Sequence, residues 1–429
     1  MRFAIWMVAT LLALPALAVP PIEHWKTPRG SDVYFVPRSE VPLIDISIDV
    51  DAGEARADEP GVAMLAMHAL LNKMPERIGE KQPWQTIIES GNLYNTRIDA
   101  DRAQMTIRLD RSAGLESLLA KEIGDQLARP VYPEELLRYT RRWLAQQMPE
   151  KVENAPTSAR LQATAMANHP YRLAAMATHD SVDDLSNMQL RRFHKRYYTP
   201  ANLSISIVGD IPRERAVSIA ETLTAYLPDG PAAQPLPAVA PAKIDAPRQM
   251  KAISRGPQKA IVLGVPLAPS QSIDDTAALL LGNYMLGGSS FNSRLFKTIR
   301  AEDGLSYYAR SQLDQMRSGG LLMLTAATKS ERREELQKRL NEEFNRFWQQ
   351  APSAAEFAEM REQYLLQMSQ WGATNSELLT LVADVAFHKR PLDYYSQLEQ
   401  SMAKLDAAKL HAVWQRYIQP DQLVVIAEE

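Results

Sequence analysis

Apolar and polar positions alternate over short stretches near the start of this chain and take a helical spacing further on. Val33-Tyr34-Phe35-Val36 and residues 43–50 carry the short, β-branched-rich pattern of strands. Residues 61–74 change to helical spacing, opened by the start signal Asp58-Glu59-Pro60. Residues 93–100 and 104–109 predict a hairpin turning around Asp101-Arg102. Two long helical patterns follow, over 113–127 and 134–147. A last helix ends over 191–198, before a strand at 203–208 in which Ile205 and Ile207 alternate with serines. Strands followed by helices, with a hairpin between them, predict an α+β fold built on a largely antiparallel sheet.

The pattern occurs twice. Arg196-Tyr197-x-x-Pro200-x-x-Leu203 returns as Arg416-Tyr417-x-x-Pro420-x-x-Leu423, followed by Val424-Val425-Ile426. Glu89-x-Gly91-x-x-Tyr94 returns as Glu302-x-Gly304-x-x-Tyr307, in the same order and at nearly the same offset. Two such matches imply two copies of one fold of about 200 residues each. A chain of 429 residues is long enough to hold both. Residues 226–247 carry six prolines and many alanines, a composition that favours extended, semi-rigid chain. The expected domains are therefore 25–226 and 245–429, with a Pro/Ala-rich linker over 227–244.

Composition narrows the classes. Apolar residues make up 45% of the chain, enough for two full cores, and the net charge is −3 with both signs interspersed. No basic stripe suggests nucleic acid as a partner. Met1-Arg2, the apolar stretch over 3–14 and Ala16-Leu17-Ala18 form the three parts of a cleavable export signal over 1–18, with the mature chain starting at Val19. No later segment reaches the ~18 consecutive apolar residues of a membrane span, so stable membrane insertion is not expected. There is no cysteine, which excludes disulfides, thiolate metal sites and a cysteine nucleophile. Export without disulfides suits a bacterial periplasm.

The most informative stretch is 284–308. Gly287-Gly288 is followed by Ser293-Arg294-Leu295, then Arg300, Gly304-Leu305 and Tyr307. This resembles the C-terminal half-signature of the pitrilysin/insulinase zinc peptidases, the inverzincins whose metal motif is H-x-x-E-H. In that family the Arg and Tyr hold the peptide substrate near a zinc ion that another domain supplies. Where the family writes G-x-A-H-x-x-E-H, this chain reads Gly61-Val62-Ala63-Met64-Leu65-Ala66-Met67-His68. Met64 stands for the first His and Met67 for the Glu; only His68 remains. The three share one helix face. Methionine is a poor Zn²⁺ ligand and cannot take a proton from water. The family's third ligand, a Glu, also has no counterpart: Trp143 to Pro149 offers no carboxylate before Glu150.

The resemblance implies two similar α/β-sandwich domains enclosing a cavity, with helices packed on mostly antiparallel sheets. It also implies the non-metal subunit of a heteromeric zinc peptidase, inactive alone. Zinc and the intact H-x-x-E-H would belong to a sister chain, and this chain would bind peptide and no metal. Arg300 and Tyr307 are the expected substrate-binding pair. A phenol O–H can donate to a developing oxyanion, and a guanidinium can grip a carbonyl or carboxylate. Gly287 and Gly288 either end the helix expected over 276–286 or line the peptide cleft. Tyr308 is expected to pack. A structural or chaperone-like peptide-binding homologue is the alternative. No G-x-S-x-G, phosphate loop or G-x-G-x-x-G is present.

Overall fold

Two sheets with the same strand order organise the chain. The computed structural model describes residues 20–71, 93–111, 114, 116–240, 248–252, 256–289 and 291–429. The expected signal segment, the end of the first motif helix beyond 71 and the pair Glu89/Gly91 lie outside these residues. The first half holds strands β1 (Glu23–Lys26), β2 (Asp32–Pro37), β3 (Leu43–Val50), β4 (Leu93–Ile98), β5 (Ala103–Asp110) and β6 (Leu203–Gly209). Its sheet runs β1-β2-β6-β3-β5-β4. The second half holds β7 (Arg248–Ala252), β8 (Gln258–Leu267), β9 (Ala309–Met316), β10 (Gly319–Lys329) and β11 (Val424–Glu428), in the order β7-β11-β8-β10-β9. Leaving out β1, the orders are the same. Each sheet has a single parallel pair, β2 with β6 and β7 with β11, and is otherwise antiparallel.

The helices repeat as well. The first half carries α1 (Val62–Leu71), α2 (Glu116–Ala128), α3 (Glu134–Ala145), α4 (Thr157–Ala165), α5 (His179–Asp183), α6 (Asn187–Tyr197) and α7 (Arg213–Thr224). The second carries α8 (Ile273–Asn283), α9 (Arg333–Gln349), α10 (Ala354–Met368), α11 (Asn375–His388), α12 (Tyr394–Lys404) and α13 (Ala407–Tyr417). The repeated Arg-Tyr-x-x-Pro signature is the end of α6 or α13, a short 3₁₀ turn at 200–202 or 420–422, and the central strand that follows. Capping boxes at Thr178, Ser186 and Thr374 start α5, α6 and α11.

Each half lends one helix to the other. α4 packs on β8 and β11 of the second sheet, and α11 packs on β6, β3 and β2 of the first. Leu161 on α4 therefore shares a core with Val262, Leu321, Val424 and Ile426. Tyr34, Val36 and Val208 join the second half's core with Leu378, Val382 and Val385 of α11. The face of β3 under α11 is polar. Asp45, Ser47 and Asp49 are buried there, with Asp45 paired to Arg108 at 2.7 Å and Asp49 accepting from Gln104 at 2.8 Å. Burial raises the Asp49 carboxyl to about 6, opposed by Arg102.

The two hairpin turns meet at the seam. Asp101, in the β4–β5 turn, accepts from the backbone N–H of Arg317 at 2.8 Å and from the Tyr171 hydroxyl at 2.7 Å. That hydroxyl accepts the Ser318 N–H at 2.8 Å. Arg317 bonds Asp51 at 2.7 Å and lies 4.2 Å over the Phe387 ring, which Arg102 also covers at 5.3 Å. The described part of the linker, 227–240, has no helix or strand. It is tied down nonetheless: Val239 N–H donates to Ser318, the Pro237 carbonyl meets His169 at 2.8 Å, and Ala233 N–H donates to Asn202.

Gly264 on β8 is what lets α4 come so close. A Cβ there would lie 2.2 Å from a methyl of Leu161. Gly264→Val is expected to lower unfolding free energy by about 1–3 kcal/mol, the usual cost of overpacking, measured by urea denaturation. A neutral result would mean that α4 is free to shift.

Candidate functional site

α1, the helix of the degenerate motif, is set by a buried carboxylate at its start. Glu54 accepts the backbone N–H groups of Gly61 at 3.0 Å and Met64 at 2.8 Å. Burial pushes this carboxyl up to about 7, while those N–H groups favour its charged form. The face that would carry metal ligands is packed instead. Met67 is 1% exposed and its sulfur accepts the Tyr198 hydroxyl at 3.6 Å. His68 shares a hydrogen bond with Thr96 of β4 at 3.2 Å, and its ring lies 4.8 Å from the ring of Trp143 on α3. Trp143 thus stands against the one surviving histidine, in the helix where the resemblance places a third ligand.

These residues do not fit a zinc ion. Two of the three motif side chains are thioethers. Among the described residues no group of three His, Cys, Asp or Glu side chains could hold a metal. Burial also drives the His68 pKa down to about 4, so the ring is neutral around pH 7.

The second constellation is built on two wide turns. After α8 the chain makes a π-helical turn over Tyr284–Gly288, closed by Ser289 N–H to Tyr284 C=O at 3.0 Å. A second π-helical stretch covers Phe296–Glu302, with Asp303 N–H to Thr298 C=O at 3.0 Å. Such turns recur at functional sites. Gly287 sits where β9 passes: a Cβ would lie 2.3 Å from the Ser311 nitrogen and 2.7 Å from Leu295. That close approach explains Gly287, and Gly288 is exposed beside it. The helix expected over 276–286 thus ends earlier, at Asn283, and continues as the π turn.

Arg294 has a structural task, a two-bond pair with Glu356 at 2.7 and 2.8 Å. Arg300 does not. Its guanidinium lies 5.0 Å over the Phe296 ring and is exposed. No carboxylate among the described residues pairs with it. Phe296 in turn meets Phe291 edge to face at 5.4 Å, and Phe291 is 68% exposed. Tyr307 stands in the loop before β9, 82% exposed. Tyr308 corrects an expectation. It precedes the strand rather than lying in it, and it too is exposed, so it does not pack. Sequence reasoning missed the aromatic support of Arg300, although Phe296 lies four residues before it on the same face. It also missed Glu54, which no motif marks.

Residues 184–364 match the family model described as the Peptidase M16 inactive domain. This stretch includes both wide turns, Arg300 and Tyr307. A solved peptidase M16 inactive domain from Pseudomonas fluorescens superposes with a TM-score of 0.85 at 24% identity, covering 95% of this chain and 97% of that one. Over residues 184–364 the chain is similar to the M16 peptidase family. A protease from Helicobacter pylori shares the fold with a TM-score of 0.84 at 18% identity, over 96% of this chain and 99% of that one. The periplasmic protease PqqL from Escherichia coli matches at a TM-score of 0.72 and 15% identity; 96% of this chain covers 48% of PqqL. Among curated sequences, a Mycobacterium leprae protein named an uncharacterized zinc protease is 29% identical over 166 residues, 38% of this chain and 37% of that protein. The match therefore spans little more than a third of that relative's length.

The duplicated α+β fold with mostly antiparallel sheets, expected from the resemblance, is the fold of this chain. Two predictions follow from the packed face of α1. Met64→His combined with Met67→Glu is not expected to yield zinc-dependent peptide cleavage, and the buried, poorly paired carboxylate should cost roughly 1–3 kcal/mol. Efficient turnover by the double variant would contradict it. His68 gives a pH signature. Its folded pKa lies below the unfolded value, so the unfolded state binds the extra proton and stability falls as pH drops from about 6.5 towards 4. Relative to His68→Leu, the wild type should lose about 1–2 kcal/mol between pH 7 and pH 5. Denaturant midpoints at the two pH values measure it; a constant difference would mean that His68 is not buried neutral.

Proposed function

We propose that this chain is the substrate-holding, non-metal subunit of a periplasmic, heteromeric zinc peptidase. One observation carries the reading. Arg300 and Tyr307 stand exposed, without an ion-pair partner for the arginine among the described residues, beside an edge strand of the second sheet. Arg300 rests on the Phe296 ring with its charge unpaired among the described residues, and an exposed cation and phenol both suit a ligand arriving from outside the chain. β9 ends its sheet among the described residues, the position where an extended peptide can add as a strand.

The sister chain would bring H-x-x-E-H, the zinc and the water-activating Glu. Arg300 would hold a substrate carbonyl or carboxylate, and Tyr307 would donate to the oxyanion as it forms. The length of PqqL, about twice that of this chain, supports a peptidase made of two such units. The segment over 1–18 supports export. The alternative, a structural or chaperone-like homologue, is favoured by the packed face of α1 alone; it leaves the exposure of Arg300 and Tyr307 without a purpose.

The test uses this chain assembled with an exported homologue carrying H-x-x-E-H, assembly being checked by gel filtration. This chain alone is expected to cleave no peptide. In the pair, Tyr307→Phe should lower kcat by ~10²–10³-fold, the usual cost of one oxyanion donor. Arg300→Ala should act mainly on KM, since a grip on the ground state appears there. Wild-type kinetics for both variants in an intact complex would favour the structural reading.

A further inference from the structure

Away from α1, the second half holds a cavity of about 500 Å³ between α10, α11, α12 and the far end of β9. That size falls within the roughly 300–1,000 Å³ of small-ligand sites. Its floor is aromatic. Trp371 and Tyr395 meet edge to face at 6.0 Å, and the buried Tyr364 backs Trp371 at 6.1 Å. Tyr394 completes it, with Arg390 4.2 Å over its outer face. The first half holds the loop in place: Arg38 donates to the carbonyls of Gly372 and Ala373 at 2.8 and 2.7 Å.

The charged groups here are already committed. Asp384 accepts the Tyr395 hydroxyl at 2.7 Å, pairs with Arg390 and lies 3.5 Å from His388. Glu377 caps α11 by accepting the Thr374 N–H at 3.1 Å. A charged ligand would have to break one of these pairs. Three carboxamides remain, Gln315 from β9 and Gln367 and Gln370 from the end of α10. Their side chains have no hydrogen-bond partner among the described residues. Ring faces plus uncommitted amides match an aromatic side chain flanked by peptide N–H and C=O groups.

The position fits a peptide lying along the sheet edge. Gln315 is six residues beyond Ala309, the first residue of β9, or ~20 Å at the rise of an extended strand. We propose that this cavity is a subsite for an aromatic side chain of an extended peptide, about six residues from the Arg300/Tyr307 end. The path of the peptide rests on the function proposed above; the ligand chemistry of the cavity does not.

Saturation-transfer NMR on the full chain tests it, with N-acetyl-phenylalanine amide as the probe at millimolar concentration. Transfer to the ring protons is expected, weakened at least tenfold by Thr380→Trp, whose indole would fill the cavity from its exposed wall. Gln370→Trp reads the same site if Thr380→Trp fails to fold. No transfer to the wild type, or transfer unchanged in the blocked variants, would overturn the proposal. So would binding of N-acetylglucosamine in place of the amide, which would make the cavity a sugar site. The readout needs neither the sister chain nor Arg300, so failure of the function proposed above would leave it standing.

Discussion

The reciprocal loan of helices is the constraint on which the rest of this molecule depends. A sheet covered by its own helices on one face still has a second face to bury. Here α4 covers that face of the second sheet and α11 that of the first. Neither half can complete its core alone, so the angle between the halves is set by packing rather than by the linker. The seam then adds specific contacts, with Arg102 and Arg317 both over the Phe387 ring and Asp101 joining the two hairpin turns. A proline-rich connection strapped to both halves is consistent with this. The result is a frame in which the edge strands β4 and β9 keep a fixed relation.

That frame explains why the two constellations differ so much. α1 lies inside the first half, with Tyr198 on Met67 and Trp143 on His68. Met67 and His68 are held by these contacts, so introducing polar groups there means removing contacts as well as adding chemistry. Arg300 and Tyr307 lie on turns at the rim of the second half. Their exposure costs the fold little, and among the described residues both stay open to solvent.

Much of this was legible from the residues. The strand at 43–50, the hairpin at 93–109 and the strand after Leu203 all fall where their patterns place them. The repeated Arg-Tyr-x-x-Pro signature marks the same helix–strand junction twice, because Pro fixes the turn after the helix in both copies. The polar face of β3 was not legible. Asp45, Ser47 and Asp49 alternate with isoleucines, a pattern that usually puts the polar side in water. Only a helix from the other half buries them, and no local pattern reports a distant helix. The π turns were hidden for a similar reason: they arise where β9 crosses Gly287, a tertiary contact. Tyr308 was misread because the strand starts at Ala309, one residue after it, and boundaries of this kind depend on pairing with β10.

The aromatic cavity and the exposed pair can be weighed together under the reading proposed for this chain. A ground-state grip near the reacting bond gains little if it binds substrate and transition state alike. Binding energy taken from a remote part of the peptide is different, since it can hold the scissile segment in place without adding bonds at the reacting atoms. A subsite built from rings and neutral amides at the far end of β9 supplies that kind of remote contact. It also leaves Tyr307 free for the oxygen whose charge changes during the reaction. A rigid frame is what makes the two ends of the strand act on one peptide: if the seam flexed, the ~20 Å between them would vary and the remote contact would no longer position anything.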